Sequence, residues 1–370
     1  MGKSGRKLPA WLDGPASSAF RAVLSLPLAA GAFASSAAAE NLGRSFARFP
    51  FNRTRLDRAR ANLRQAFPSW EADHVEACAA NAYEHLFRLG IEFLFSPRLL
   101  SEDGWPRCVS VLPHAAPCAP GMRPITDALN TVLGGRPCVM LTGHCGNWEI
   151  LGHSIAALGF PMHALYRPLD YRALDRWVRD TRQRHGVVLV DKFGAAERLP
   201  KILAAGEQLG FVADQNAGDR GLFVPYFGRL ASTYKTIGLI AMQFETPVIC
   251  AMARRLPATE PGLAFLYRLE LADIIYPEDW QGRPDPLFYL TARYRRALEQ
   301  MVRAAPEQYL WMHRIWKSRP RHERVGKPFP AALKEKLRSL PWLSEAEVDA
   351  LVDRSDRDAR FLAETGTDRL

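Results

Sequence analysis

Residues 138–149 read Cys-Val-Met-Leu-Thr-Gly-His-Cys-Gly-Asn-Trp-Glu, and this stretch decides the fold. Its first five residues form a short apolar run, which predicts a buried strand. Gly143 and Gly146 then allow the backbone to turn tightly, and a helical pattern begins at Glu149. Strands that alternate with helices are typical of α/β folds, so this stretch predicts one strand–turn–helix unit of a parallel sheet.

The same alternation continues towards the C-terminus. Further short apolar runs predict five more strands, and helical patterns follow most of them. The strands are expected at 162–166, 187–190, 209–213, 248–253 and 264–271, and the helices at 149–158, 171–185, 195–205, 233–244 and 286–305. We therefore expect an α/β fold with a mostly parallel sheet flanked by helices.

The regions outside this alternation predict helices and loops. A basic amphipathic helix is expected at 54–67, a second helix at about 71–95, and a linker or surface loop at 104–125. The chain then divides into a basic arm with an apolar segment, a helical region, an α/β domain and a peripheral C-terminal tail. These parts are expected at 1–50, 51–125, 126–325 and 326–370.

Charge favours anionic partners. The 370-residue chain carries a formal net charge of +10, and its first 60 residues hold ten basic and three acidic side chains. Such a balance suits anionic lipid, an acidic carrier protein or nucleic acid, although a solvated basic arm is the plain alternative. No nucleic-acid module is present, and no aromatic–basic alternation of the kind that stacks bases, so we expect no nucleic-acid partner.

The six cysteines argue against disulfides and metal sites. They form no Cys-x-x-Cys pair, and no His/Cys cluster has the spacing of zinc ligands. A reducing cytoplasm fits this set best, and we expect no metal and no cofactor.

Residues 22–39 are uncharged and mostly small or apolar. At 18 residues the stretch barely reaches membrane-spanning length, and Pro27 and Gly31 interrupt it. A spanning helix, an interfacial helix and a signal peptide all fit these features. The flanking arginines favour a retained helix that contacts anionic lipid, so we expect an N-terminal membrane-contacting helix.

His144 is the candidate catalytic residue. Among the nine histidines, only His144 has a carboxylate five positions on, at Glu149. It directly follows a predicted strand, and ligands of parallel α/β sheets bind at the carboxyl ends of strands. A neutral imidazole can take a proton from a hydroxyl, and a carboxylate on its other nitrogen can orient it. A histidine that only caps or fills a turn is the competing interpretation, because short motifs often match by chance.

The run 141–149 resembles the His-x4-Asp/Glu motif of glycerolipid acyltransferases, and more specifically that of the bacterial lipid A biosynthesis acyltransferases. Four further blocks resemble segments of that family in the same order, at 166–168, 211–216, 224–228 and 306–320. The resemblance covers roughly residues 15–325.

This resemblance implies a fatty acyl donor bound as a thioester to acyl carrier protein or coenzyme A. It implies a hydroxyl of a membrane glycolipid as acceptor, with a lipid A precursor as the expected one. It also implies a location at the cytoplasmic face of the cell inner membrane, peripheral or single-pass. His144 carries over as the general base and Glu149 as its partner.

Three further residues are expected to bind substrate. Arg182 and Asp214 match positions of the family, and Arg167 lies in the block at 166–168. Arginines bind phosphate groups through two hydrogen bonds, although surface ion pairs with nearby aspartates are the alternative. Asn216 stands where the family often has a second acid, which leaves the acceptor open.

Two other functions remain open from the sequence. A non-catalytic lipid-binding or assembly protein could keep this fold, and a thioesterase-type hydrolase would use water as the acceptor. Loss of turnover on mutation separates the first from an acyltransferase, and the main product separates the second.

Overall fold

The computed structural model describes residues 13–101, 104–111, 117–184, 186–191, 193–257 and 264–367. The first twelve residues of the expected basic arm, and residues 112–116 of the expected linker, lie outside the described residues.

One large sheet organises the described part of the chain. It contains β1 (Val109–Ser110), β2 (Arg123–Pro124), β3 (Val139–Thr142), β4 (Met162–Tyr166), β5 (Val187–Asp191), β6 (Gln208–Val212), β9 (Val248–Leu256) and β10 (Leu266–Ile275). The order is β1-β10-β9-β3-β6-β4-β5, and β2 also pairs with β10. The strands from β9 to β5 run parallel, whereas β10 is antiparallel to β9. The expected mostly parallel sheet is therefore confirmed.

The remaining two strands form a separate hairpin. They are β7 (Leu222–Tyr226) and β8 (Arg229–Thr233), which pair antiparallel. Sequence reasoning places no strand here, and Pro225 within β7 explains why, because proline is disfavoured in central strands.

Fifteen α-helices lie in the described ranges. They are α1 (Asp13–Ala30), α2 (Ala32–Ala47), α3 (Arg53–Ala66), α4 (Ala72–Leu99), α5 (Trp105–Cys108), α6 (Thr126–Leu133), α7 (Trp148–Ala157), α8 (Arg172–Arg184), α9 (Ala195–Ala204), α10 (Lys235–Gln243), α11 (Pro277–Trp280), α12 (Pro286–Ala304), α13 (Arg321–Arg324), α14 (Ala331–Arg338) and α15 (Glu345–Thr365). Short 3₁₀ turns occur at Pro50–Asn52 and Pro306–Gln308.

Helices cover both faces of the sheet. Alternate residues of each central strand point to opposite sides, so each strand contributes side chains to the core on both faces. In β9, Cys250 and Met252 enter one core cluster together with residues of α10 and α12. Ile249 and Ala251 enter another, together with residues of α6 and α7. A strand apolar on both faces is the signature of a parallel sheet buried between two helical layers.

The N-terminal apolar stretch is divided between two helices. Gly31 separates α1 from α2 with a φ of +85°, a conformation that glycine adopts without strain. Among the described residues, no single helix is long and apolar enough to cross a bilayer. Residues Ala22–Ala30 and Ala32–Ala47 meet that criterion only together, and they are bent by 115°.

The C-terminal helices pack onto the β7–β8 hairpin through a buried ionic network. Arg319 donates hydrogen bonds to Glu323 at 2.6 Å and to Asp358 of α15 at 2.9 Å. Arg229 of β8 donates to the same aspartate at 2.7 Å. The segment expected as a peripheral tail thus has one side buried against the α/β part of the molecule.

Candidate active site

Two backbone hydrogen bonds fix the loop that follows β3. The Gly146 N–H donates to the Gln308 carbonyl at 2.9 Å, and the Leu310 N–H donates to the His144 carbonyl at 3.2 Å. The loop therefore lies directly against the segment that follows α12, and the backbone of His144 is held on that side.

Both the backbone conformation and the surroundings of position 146 require a glycine. Its φ is +57°, and a Cβ at this position would lie 2.3 Å from the carbonyl oxygen of Ala253. This close approach lets the Asn147 N–H donate to the same carbonyl at 2.7 Å. The Asn147 side chain then caps α7 by accepting from the Ile150 N–H at 3.0 Å, and donates to Glu92 at 2.7 Å.

The register of two parallel strands brings His144 to Asp214. Thr142 of β3 lies opposite Val212 of β6, so the residues two positions beyond each strand meet at one sheet edge. The Nδ1 atom of His144 lies 2.8 Å from Oδ1 of Asp214. The Asp214 side chain is 1% exposed and that of His144 is 19% exposed, so the imidazole covers the carboxylate.

The expected hydrogen bond between His144 and Glu149 is not the one that forms. Glu149 accepts instead from Nε of Arg182 at 2.9 Å, from a second nitrogen of Arg182, and from the Trp148 indole at 3.1 Å. Glu149 lies in the first turn of α7, where its carboxylate faces α8, whereas Nδ1 of His144 is already bonded to the neighbouring strand end. The direct carboxylate partner of His144 is therefore Asp214.

Charges around the pair favour its ionic form. Burial alone would raise the pKa of Asp214, but the His144 charge and hydrogen bond, together with Arg295, bring it below its ordinary value. Burial would lower the pKa of His144, yet Asp214, and more weakly Glu149, raise it above the ordinary value. Burial would likewise raise the pKa of Glu149, and Arg182 lowers it.

A buried, charged aspartate that holds the Nδ1–H of a histidine leaves Nε2 as the free base, an arrangement suited to general-base chemistry. Residues 16–318 match the family described as bacterial lipid A biosynthesis acyltransferase. The chain belongs to this family.

Curated relatives include the lipid A biosynthesis palmitoleoyltransferase of Escherichia coli (strain K12), 31% identical over 174 residues, which are 46% of this chain and 53% of the relative. The lipid A biosynthesis lauroyltransferase of the same organism is 28% identical over 163 residues, 43% of this chain and 50% of the relative. The lipid A biosynthesis acyltransferase of Shigella flexneri is 31% identical over 174 residues, again 46% and 53%. The chain spans about half the length of the curated relatives it matches.

Three residues that sequence reasoning did not select complete the surroundings of His144. The Gln215 amide nitrogen lies 3.4 Å from Nε2 of His144, and the His313 ring centroid lies 5.2 Å from that of His144. Both belong to blocks that resemble the family, at 211–216 and 306–320, and this resemblance is the sequence signal that could have identified them.

Arg295 of α12 is the third, and no sequence signal marks it. It is fully buried, donates to the Asp214 backbone carbonyl at 2.7 Å, and stacks 3.7 Å from the Tyr226 ring. Its positive charge supports the ionised Asp214 from behind.

The other predicted substrate-binding residues are distributed differently. Arg182 is engaged by Glu149 and lies 5.3 Å above the Tyr166 ring. Arg167 is exposed on the loop after β4. Asp214 is buried beneath His144, so a direct contact of its side chain with substrate does not fit its position.

An apolar cavity of about 100 Å³ lies between α6, α7 and the sheet. Leu151 and Gly152 of α7 line it, with Met162 and Phe211 from the strands. Trp148 lines this cavity and also packs edge-on against His144, with ring centroids 4.9 Å apart. The apolar cavity and the imidazole therefore share one side chain as a common wall.

Proposed function

We propose that this protein transfers a fatty acyl chain from a thioester to a hydroxyl of a membrane glycolipid, with a lipid A precursor as the acceptor. The observation that carries the proposal is the His144–Asp214 pair, whose imidazole packs against Trp148 in the wall of an apolar cavity. Membership of the acyltransferase family supports the reaction class.

In the proposed step, Nε2 of His144 takes the proton of the acceptor hydroxyl while the oxygen attacks the thioester carbonyl carbon. The tetrahedral intermediate then collapses: the C–S bond breaks, the C–O ester bond remains, and the imidazolium returns the proton to the leaving thiolate. Atoms and charge balance without a covalent acyl-enzyme. The ionised Asp214 holds the Nδ1–H tautomer and stabilises the imidazolium.

Glu149 acts indirectly in this proposal. Its ion pair with Arg182 joins α7 to α8, and α7 carries Trp148 and the wall of the apolar cavity. The negative charge at the start of α7 also favours the imidazolium at longer range. Glu149 is thus a positioning residue, whereas His144 contacts the reacting hydroxyl.

The apolar cavity is the proposed site of the acyl chain. Its walls are hydrocarbon, and each methylene group removed from water contributes about 0.8 kcal/mol. Because Trp148 joins this cavity to His144, a chain inside it would bring its thioester towards Nε2.

We propose that α1 and α2 rest on the cytoplasmic face of the inner membrane. Large apolar side chains on these helices and on the following turn are exposed, including Leu26, Phe33 and Phe51. Arg44 and Arg48 flank them and suit anionic headgroups. Such a peripheral attachment agrees with helices that bend by 115°.

The test uses purified full-length chain, an acyl thioester of acyl carrier protein or of coenzyme A, and a lipid A precursor in anionic vesicles. We expect thiol release with formation of one acylated lipid per thiol, read by mass spectrometry. Free fatty acid as the main product would replace the proposal with a thioesterase. Lipid binding without thiol release from either donor would replace it with a non-catalytic role.

A further inference from the structure

A second cavity is lined by two residues that contact His144, Gln215 and His313. It has a volume of about 430 Å³, and the segment that follows the strand β6 forms part of its wall. Its lining residues are Arg55, Arg58, Gln215, Asn216, Met312, His313, Arg314 and Lys317. We call this space the basic cavity, because four of these side chains are permanent cations and none is a carboxylate.

The basic cavity opens at the reacting end of His144. Gln215 and His313 belong to its wall, and the Gln215 amide nitrogen lies 3.4 Å from Nε2. A molecule whose hydroxyl lies at Nε2 could therefore place a neighbouring group inside the cavity.

Among the residues that the structure describes, the cations of this cavity have no carboxylate partner, whereas other cations on α3 do. Arg53 and Arg60 of α3 pair with Asp57 at 3.9 and 2.8 Å, and Arg60 also pairs with Glu76 at 2.6 Å.

In the ranges that the structure describes, no carboxylate oxygen lies within 4 Å of the four cavity cations, Arg55, Arg58, Arg314 and Lys317. Burial, followed by the charges of Arg314 and Arg55, lowers the pKa of Arg58. An excess of positive charge that the protein itself does not neutralise is suited to an anionic ligand.

The cavity wall is held in place by hydrogen bonds rather than by the cations alone. Asn62 of α3 donates to the carbonyls of Trp311 and His313 at 2.7 and 2.8 Å. Asn216 donates to the Ser318 hydroxyl at 3.2 Å and accepts from its backbone N–H at 3.3 Å. The two segments that supply the cations and the segment that follows β6 are therefore tied together as a preformed site.

We propose that the basic cavity binds a phosphate ester group of a substrate while the reacting group of that substrate lies at His144. Guanidinium groups match phosphate oxygens with paired hydrogen bonds, and Lys317 adds a point charge. This inference rests on the proposed function. The phosphate comes either from the headgroup of the acceptor or from the pantetheine arm of the thioester donor, and the experiment distinguishes the two.

The first arm measures binding without catalysis, by titration calorimetry of inorganic pyrophosphate into the purified full-length chain. We expect the double variant Arg314→Met/Lys317→Met to bind roughly tenfold more weakly or worse, since two charge-assisted contacts are lost. The matched control is Arg53→Met on α3, which should bind within about twofold of wild type. Wild-type affinity in the double variant, or an equal loss in the control, overturns the inference.

The second arm measures steady-state kinetics with each substrate varied in turn. A rise in the KM of the acceptor alone in Arg314→Met/Lys317→Met assigns the phosphate to the lipid headgroup, and a rise in the KM of the donor alone assigns it to the pantetheine arm. Unchanged KM values for both substrates overturn the inference. Arg58→Lys keeps a charge near the Met312 carbonyl, which Arg58 contacts at 3.2 Å, and should fold and show an intermediate KM.

Failure of the proposed function has a different signature. If His144→Ala retains full acyl transfer, the assigned base is wrong, yet pyrophosphate binding would still depend on Arg314 and Lys317. If pyrophosphate binding does not depend on them, the basic cavity is wrong, whatever His144 does.

Discussion

Two carboxylates near His144 hold different partners, although both are buried and both carry negative charge. Asp214 lies 70 positions away in the chain and is hydrogen-bonded to Nδ1 of His144 at 2.8 Å. Glu149 lies five positions away and is bonded to Arg182 on α8. The difference separates two tasks: one carboxylate orients the base, and the other joins two helices.

The comparison predicts the largest effect for Asp214→Asn. The amide keeps the shape, but it no longer stabilises the imidazolium or enforces the tautomer, so kcat should fall roughly 10³–10⁴-fold. Glu149→Gln should lose much less activity. Steady-state assays of both variants measure this, with near-ultraviolet circular dichroism as the folding control. A greater loss in a folded Glu149→Gln than in Asp214→Asn would reverse the two assignments.

The second prediction concerns stability. Arg182→Met leaves the Glu149 carboxylate buried without its cation and should reduce the free energy of unfolding by about 3 kcal/mol. This value is at the low end for buried pairs, because the Arg182 side chain is 22% exposed. Urea unfolding measures it. The double variant Arg182→Met/Glu149→Gln should be more stable than Arg182→Met, and an unchanged midpoint in Arg182→Met would mean that the pair does not join α7 to α8.

A third prediction tests whether the helix of Glu149 shapes the acyl site. Gly152 on α7 lines the apolar cavity, and a Cβ there meets no atom within 4 Å. Gly152→Leu should fold, and its larger side chain should shift the preference towards shorter acyl donors. Each methylene group excluded from the cavity should cost about 0.8 kcal/mol of binding, which lowers kcat/KM for that donor about fourfold.

The control for this prediction is Gly90→Leu. Gly90 is exposed on α4, and a Cβ there also meets no atom within 4 Å. It should leave the chain-length preference unchanged. An equal loss for all chain lengths in Gly152→Leu would place the acyl chain elsewhere.

The smallest expected effect is a displacement of the pH profile. His144 must be neutral to accept a proton, so kcat/KM should fall as pH drops through its raised pKa, which lies above the ordinary 6.5. Asp214→Asn removes the charge and hydrogen bond that raise this pKa, so the acid limb should move to lower pH. Glu149→Gln should move it in the same direction by less, since Glu149 contributes less. A larger displacement for Glu149→Gln would contradict the comparison.

Much of the fold follows from local sequence pattern. Short apolar runs marked β3, β4 and β5, although Leu165 of β4 and Val188 of the edge strand β5 are exposed, and Gly143–Gly146 marked the turn after β3. The hairpin of β7 and β8 escaped because Pro225 interrupts the usual strand signal. The antiparallel direction of β10 likewise depends on long-range pairing rather than on residue pattern.

The site was predictable only up to the strand ends. The position of His144 after β3 and that of Asp214 after β6 indicated a shared sheet edge. Which strands are neighbours is decided by packing across the whole sheet, so the Thr142–Val212 register could not be read from the chain. The five-residue spacing therefore favoured Glu149 as the partner of His144. The residue that Glu149 binds instead is Arg182, which lies on a different helix, α8.

The most direct test of the central claim is the acyl-transfer rate of His144→Ala against that of wild type, with His74→Ala as the control. His74 is exposed on α4, stacks on Trp70, and lines neither the apolar nor the basic cavity. We expect His144→Ala to lose at least about 10³-fold in kcat, with thiol release and lipid acylation falling together. We expect His74→Ala to transfer at the wild-type rate. Full lipid acylation by a folded His144→Ala would contradict the assigned role of His144.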